Sequence, residues 1–474
     1  MVVQRSVRCV LGGAAAVVAM AACSASPVAQ PTAVVQGEPS PQRPVVELRY
    51  DVADDLRTVT GREEVVFTPD QPICELVFRA WPNQPTTADD GTSLRITETL
   101  VDARPVQAAI TPGGAPEGSP GTIVTLPLPA CIDAGTEVRA ELGFTLALGE
   151  DAGERVGHMP SAELAWFATA FPLLAWVRGE GWVQDPAVDL AGETVTSEDF
   201  TLAELAVTAP QAYRVLGTGS EAGTGPGARS GTVEHRFRAD AMRDVAVSVG
   251  RFTVVEREVG GVRYHVGVPE SGSRLSADEW ADELENAVRR LQDMLGAYPY
   301  TDLWASILPP LSDGVEFPAA LQFGDVNRRT MPALVAHEVA HMWFYGLVGN
   351  NQARHPWIDE SFATYAQARV AGQEDYYAMS DIDDQLRGHL GEPMPYWAAT
   401  GNFSRYVTGV YDQGAAVLLE GRRRSGEEAF DSALRAYIAA NTHRVAGPAD
   451  VAAAFGHLPE VMALLRRSGA LPQS

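Results

Sequence analysis

The chain has 474 residues and 46% apolar side chains, enough for more than one buried core, and its composition excludes a disordered, collagenous or coiled-coil protein. Its 61 acidic against 36 basic residues leave a net charge of −25. That balance argues against nucleic acid or an anionic lipid surface as a partner, because both require a cationic face.

At the N-terminus, Arg5 and Arg8 precede an apolar run from Val10 to Ala22, followed by Cys23 and small, Pro-rich residues. A basic start, a short apolar stretch and a small-residue site read as an export signal, too short to span a bilayer. Met20-Ala21-Ala22-Cys23 resembles a bacterial lipobox, which implies lipidation of Cys23 and attachment to the extracytoplasmic face of the cell membrane. Ala19-Met20-Ala21 also offers a small-x-small cleavage site, so plain secretion stays open. Residues 24–44 read as a flexible tether. Cys74 and Cys131 remain outside the signal; two thiols in an exported chain favour a disulfide, and two free buried thiols are the alternative.

From Val45 to about Val255 short apolar-alternating segments follow one another, such as Val45–Tyr50, Glu64–Phe67, Ile73–Phe78 and Val138–Leu142. Gly- and Pro-rich breaks at 111–121 and 219–231 read as hairpin or surface loops. Such a run predicts a β-saddle or sandwich domain over 45–255. The period changes near residue 275. Ser276-Ala277-Asp278-Glu279 has the form of a capping box, and Trp280, Leu284, Val288, Leu291 and Leu295 then share one helical face. After a strand near Leu303–Leu308, helical patterns dominate, giving an α-rich second domain over 256–474.

The chemistry concentrates in that second domain. Thr330 to His341 reads as a helix with Thr330 as its cap and Pro332 in the first turn. His337 and His341 are one turn apart and project from the same face, a spacing at which two imidazoles can hold a metal. Glu338 lies beside that position and can take a proton from a water that the metal activates. Eighteen residues separate His341 from Glu360, which sits in Trp357-Ile358-Asp359-Glu360 at a second helix start, where it can complete a His₂Glu set.

His-Glu-x-x-His, eighteen residues, then Glu within Trp-Ile-Asp-Glu resembles the gluzincin signature of the aminopeptidase N family. Gly314-Val315-Glu316-Phe317-Pro318 resembles that family's Gly-x-Met-Glu-Asn loop, which implies that the strand edge pairs with substrate backbone and that Glu316 grips a free α-amine. Tyr411-Asp412-Gln413-Gly414 resembles Tyr-x-Lys-Gly, which implies that Tyr411 donates to the oxyanion; Tyr406 matches a second tyrosine near the same site. The resemblance implies a thermolysin-like catalytic domain, one zinc ion per chain and peptide substrates; a monomer is the expected state, though nothing in the sequence fixes it.

Departures are specific. Gln413 replaces the motif's Lys, and Gln367 stands where the family commonly buttresses a ligand with a carboxylate. A second polar residue for the α-amine is not evident in the β domain, where Glu163 and Glu180 are the candidates. Arg422-Arg423-Arg424 reads as a charge run complementing a helix dipole, with no binding role. The expected function is zinc-dependent removal of N-terminal residues from peptides. An endopeptidase of the same mechanism, and a non-catalytic surface lipoprotein with a vestigial zinc site, remain as alternatives.

Overall fold

Alternating buried and exposed side chains turn the N-terminal half into sheets, and the computed structural model describes residues 37–191 and 196–473. The expected signal and Cys23 lie outside the described residues. Eight strands form the largest sheet, ordered Ser220–Pro226, Thr232–Met242, Phe200–Pro210, Val45–Val52, Thr58–Phe67, Val138–Ala147, Ser93–Val101 and Arg104–Pro105. All neighbours in it are antiparallel except Val45–Val52 with Phe200–Pro210. Two four-stranded sheets and the short hairpin of Trp176–Val177 with Gly181–Trp182 accompany it in this half.

One expectation changes here and another holds. The break at 219–231 is not all loop, because Ser220–Pro226 pairs along Thr232–Met242. It closes one edge of the large sheet, where Gly-rich sequence is tolerated because only one side must pair. Cys74 and Cys131 form a disulfide, joining strands Ile73–Ala80 and Ile123–Ile132. Closing a loop of that span contributes about 4 kcal/mol in the chain-entropy view.

The inward row of Thr58–Phe67 is Val59, Gly61, Glu63, Val65 and Phe67. Glu63 therefore points into the core, opposite Leu48 on one neighbour and Leu142 on the other. Both its carboxylate oxygens are buried and lack a hydrogen-bond partner among the described residues. Burial pushes its carboxyl well above the usual 4.5. A raised folded-state pKa contributes stability fully below the unfolded value and loses it as pH rises through the folded one. Glu63→Met is thus expected to stabilise the protein at pH 8 by about 1–3 kcal/mol, with less gain at pH 4. Urea unfolding at both pH values checks this; an equal or negative change at pH 8 would refute it.

A five-stranded sheet links the halves, ordered Phe252–Val259, Val262–Pro269, Asp302–Ile307, Ala320–Phe323 and Gly314–Phe317. Its two faces serve two cores. Trp304, Phe317 and Ala320 pack into the β core, whereas Leu303, Ala305, Ile307, Leu321 and Phe323 pack against helices. Helix Ala277–Leu295 begins with the expected capping box: Ser276 Oγ accepts from Glu279 N, and the Glu279 carboxylate accepts from Ser276 N. Its expected apolar face is buried throughout. No helix among the described residues is long and apolar enough to cross a membrane.

Arg422 departs from its expected role. It is buried, and its guanidinium grips both oxygens of Asp431 at 2.7 and 2.9 Å, joining helix Gln413–Ser425 to helix Glu427–Asn441. Charge in the last turn of a helix is usually solvated; here an acceptor on the next helix recruits it inward.

Candidate metal centre and active site

Helix Met331–Ala340 carries the first two metal-ligand candidates. Its cap differs from expectation: the Thr330 side chain makes no capping bond. Asn327 Oδ1 instead accepts from the amides of Arg329 and Thr330 at 2.9 and 3.2 Å. The helix ends at Ala340, so His341 is its C-cap residue and the chain turns tightly through Phe344. Helix Trp357–Ala371 packs against it and presents Glu360 from its first turn.

Three donor atoms converge between these helices. His337 Nε2 and His341 Nε2 are 3.2 Å apart, and Glu360 Oε2 lies 3.3 Å from the first and 3.5 Å from the second. The other ring nitrogens face acceptors, His337 Nδ1 toward Gln367 Oε1 at 3.1 Å and His341 Nδ1 toward the Phe344 carbonyl at 3.0 Å. With Nδ1–H donated outward, both Nε2 lone pairs point inward at a carboxylate oxygen. All three residues are buried.

The electrostatics ask for a cation. Burial alone would lower His341, but Glu316 and Glu360 outweigh it and push its pKa well up. Burial would raise Glu360, yet His341 and His337 hold it at about 2. Burial lowers His337. Burial, and then the neighbouring Glu316, push Glu338 well above the usual carboxylate range. Two imidazoles and a carboxylate inside a ring of further carboxylates match the donor set of a divalent metal of the zinc type.

Gln367 acts through its amide. Its nitrogen donates to Tyr377 Oη at 3.2 Å and Gln373 Oε1 at 3.3 Å, which turns its oxygen toward His337. A neutral acceptor raises ligand basicity less than a carboxylate. Gln367→Glu is therefore expected to tighten metal binding, within roughly 10–100-fold. Competition with a chelator of known affinity measures it, and an unchanged constant would refute it.

Glu316 and Glu338 are buried beside His341, their ligating oxygens within 4.8 Å of its nitrogen. Strand Gly314–Phe317 is the outer strand of its sheet, so one backbone edge has no strand neighbour. Gly314 is needed there for space: a Cβ would fall 2.5 Å from Glu338 Cγ. Gly314→Ala must displace the Glu338 side chain, and kcat is expected to fall about 10–100-fold with the melting temperature little changed. Steady-state kinetics beside calorimetry tests this; wild-type kcat would refute it.

Tyr411 stacks on the ring of His337, with centroids 5.7 Å apart and planes 11° apart, and Tyr406 meets it edge-on at 5.5 Å. Burial, then the neighbouring Glu360, push the Tyr411 phenol well up, so it stays protonated and can donate. The structure thus brings His337, Glu338, His341, Glu360, Glu316, Gly314, Tyr406 and Tyr411 into one cluster. Glu163 and Glu180 are not in it. Glu163 pairs with Arg251 at 2.6 Å and accepts from Tyr213 at 3.1 Å, and Glu180 pairs with Arg354, both near the surface. The Phe344 carbonyl escaped sequence reading, since any residue type supplies one.

Residues 322–465 match the peptidase family M1 domain. The chain is 25% identical over 242 residues to leucine aminopeptidase 2 of Coccidioides immitis, covering 45% of this chain and 37% of that one. It is 31% identical over 127 residues to aminopeptidase N of Streptomyces lividans, covering 24% and 15%. It thus spans well under half the length of these curated relatives. Among solved structures, an M1 zinc metallopeptidase of Deinococcus radiodurans superposes with a TM-score of 0.62 at 17% identity, covering 91% of this chain and 95% of that one. A variant of it bound to a Tyr-Ser-Ala substrate gives 0.63, also at 17% identity, covering 91% and 96%. The matches thus place a peptidase family M1 domain over residues 322–465, where His337, Glu338, His341, Glu360 and Tyr411 lie, and they give nearly the whole chain the fold of these solved M1 metallopeptidases.

Proposed function

We propose that the protein is a zinc-dependent aminopeptidase, with one zinc ion per chain, that removes N-terminal residues from peptides. The observation that carries this reading is Glu316, a buried carboxylate beside His341 on the outer strand of a sheet. An open strand edge can take an extended peptide by backbone pairing, and a carboxylate at its end can hold the free α-ammonium. His337, His341 and Glu360 would hold the zinc. When bound, zinc polarises the scissile carbonyl and makes water acidic enough to attack at neutral pH.

The chain's own residues supply the remainder. Glu338 takes a proton from the attacking water and passes it to the departing amine as the C–N bond breaks. Tyr411 donates to the carbonyl oxygen as that oxygen gains charge. The products are a free amino acid and a peptide shorter by one residue. We propose further that Cys23 carries a lipid and holds the enzyme at the outer face of the membrane, a reading supported by the lipobox-like sequence; metabolic labelling with palmitate and loss of the label in Cys23→Ala test it.

Cleavage mapping by mass spectrometry tests the activity, using mixed peptides with free or acetylated N-termini. Stepwise loss of first residues from free peptides alone is expected. Internal cuts, or equal attack on acetylated peptides, would replace the reading with an endopeptidase and leave Glu316 without its amine-binding role.

A further inference from the structure

The helix that carries Tyr411 is not regular. Phe403–Tyr406 is α-helical, Val407–Asp412 is wound as a π-helix, and Gln413–Ser425 returns to α-helix. The looser winding explains a contact that the sequence spacing does not. At about 100° per residue, side chains five apart on an α-helix point roughly 140° away from each other. Tyr406 and Tyr411 are five apart, yet their rings meet at 5.5 Å.

A π turn is costly to hold, because its hydrogen-bond register disagrees with that of the α-helix it leads into. The Gln413 backbone amide reaches the Thr408 and Val410 carbonyls from within the chain. Two side chains add further donors. Ser361 Oγ, next to Glu360 on the facing helix, donates to the Val410 carbonyl at 2.9 Å. Gln413 Nε2 donates to the Gly409 carbonyl at 2.9 Å and to the Leu386 carbonyl at 3.1 Å. Both side chains are fully buried.

The packing leaves no room for a β-carbon at Gly409 within the segment or at Gly414 just beyond it. A Cβ at Gly409 would fall 2.1 Å from the Trp397 ring, and one at Gly414 would fall 1.9 Å from Ser361 Oγ. The wound-out turn is thus pressed between Trp397 on one side and Ser361 on the other, with Tyr411 at its end against His337.

We infer that Gln413 and Ser361 are positioning residues, whose side-chain donors fasten the π turn that aims Tyr411 at the reacting carbonyl. Ser361 also couples the metal-bearing helix to the tyrosine-bearing one. A Lys at position 413 can serve the same two carbonyls with its three donors, whereas an apolar side chain of similar length cannot. The inference rests on the aminopeptidase reading for its catalytic consequence, but not for the fastening itself.

The experiment has two readouts. In hydrogen–deuterium exchange on the whole protein, Gln413→Met and Ser361→Ala should raise exchange over residues 407–413, leave helix Met331–Ala340 unchanged and keep the bound metal. In steady-state kinetics the same variants should lower kcat about tenfold or more, short of the roughly 10²–10³-fold expected for removing an oxyanion donor outright. KM should move less than about threefold, because an interaction made only in the transition state is the one lost. Gln413→Lys should restore most of kcat. In a Tyr411→Phe background either substitution should cost less than about twofold further, since both act through one hydroxyl.

Unchanged exchange over 407–413 would overturn the fastening role. Raised exchange with a loss of kcat as large in Tyr411→Phe as in the wild type would overturn the link to Tyr411. A wild-type protein that cleaves no peptide, with exchange raised in the variants, would sink the aminopeptidase reading while leaving the fastening intact.

Discussion

Replacing Glu338 with Gln is expected to lower kcat by about 10²–10⁴-fold, the range a positioned general base contributes, while leaving the metal bound. The separation of the two effects follows from the geometry. The donor atoms that converge within 3.5 Å of one another belong to His337, His341 and Glu360. Glu338 instead forms a second group with Glu316 and His341 and is buried against Gly314. Glutamine keeps the shape of that side chain and removes only its capacity to take a proton. Hydrolysis of an amino-acid nitroanilide gives kcat, and elemental analysis of the purified variant gives the metal content. Full activity in the variant would eliminate Glu338 as base. Loss of the metal together with activity would make it part of the ligand set, and the assignment of Glu360 would then need revision.

What could be read from the sequence was the chemistry that restricts residue type. Only a few side chains bind a divalent metal of this kind, and a helix fixes which of them can meet, so His337, His341 and Glu360 stood out by type and spacing. The helix Ala277–Leu295 was legible for a similar reason, because its capping box and apolar stripe agree with each other. Features set by partners distant in sequence were not legible. The π winding at Val407–Asp412 depends on Trp397, Ser361 and Leu386, none of which is local to it.

Glu63 shows the opposite conflict. Its place in the alternation points inward and its charge points outward, and the pairing of Thr58–Phe67 with both neighbours decides for burial. Shifting the strand by one residue would free Glu63 but expose Val59, Val65 and Phe67, so the apolar majority sets the register. The same logic places Glu316. On the outer strand Gly314–Phe317 its neighbour Phe317 must enter the β core, which turns Glu316 to the opposite face, toward the helix bearing His341. One sheet, through its alternation, therefore packs one domain and arms the other.

Glu360→Ala is expected to weaken zinc binding by more than the roughly 10–100-fold that loss of an outer-shell partner costs, because a first ligand is removed. Stability should report this directly. A ligand that binds only the folded state stabilises it by RT ln(1 + [L]/Kd), which is about 2.7 kcal/mol at a hundredfold excess over Kd. At a zinc concentration giving that shift in the wild type, the melting temperature of the variant should hardly move. In the wild type the zinc-induced shift should shrink as pH falls, with the sign set by competition for the imidazoles. His341 is pushed toward its protonated form by Glu316 and Glu360, and a proton on its ring opposes the metal. Raising the pH removes that competitor and should enlarge the shift. Calorimetric melts with zinc and with a chelator, at two pH values, test both statements together. A variant stabilised by zinc as strongly as the wild type would exclude Glu360 from the ligand set, whatever its effect on hydrolysis.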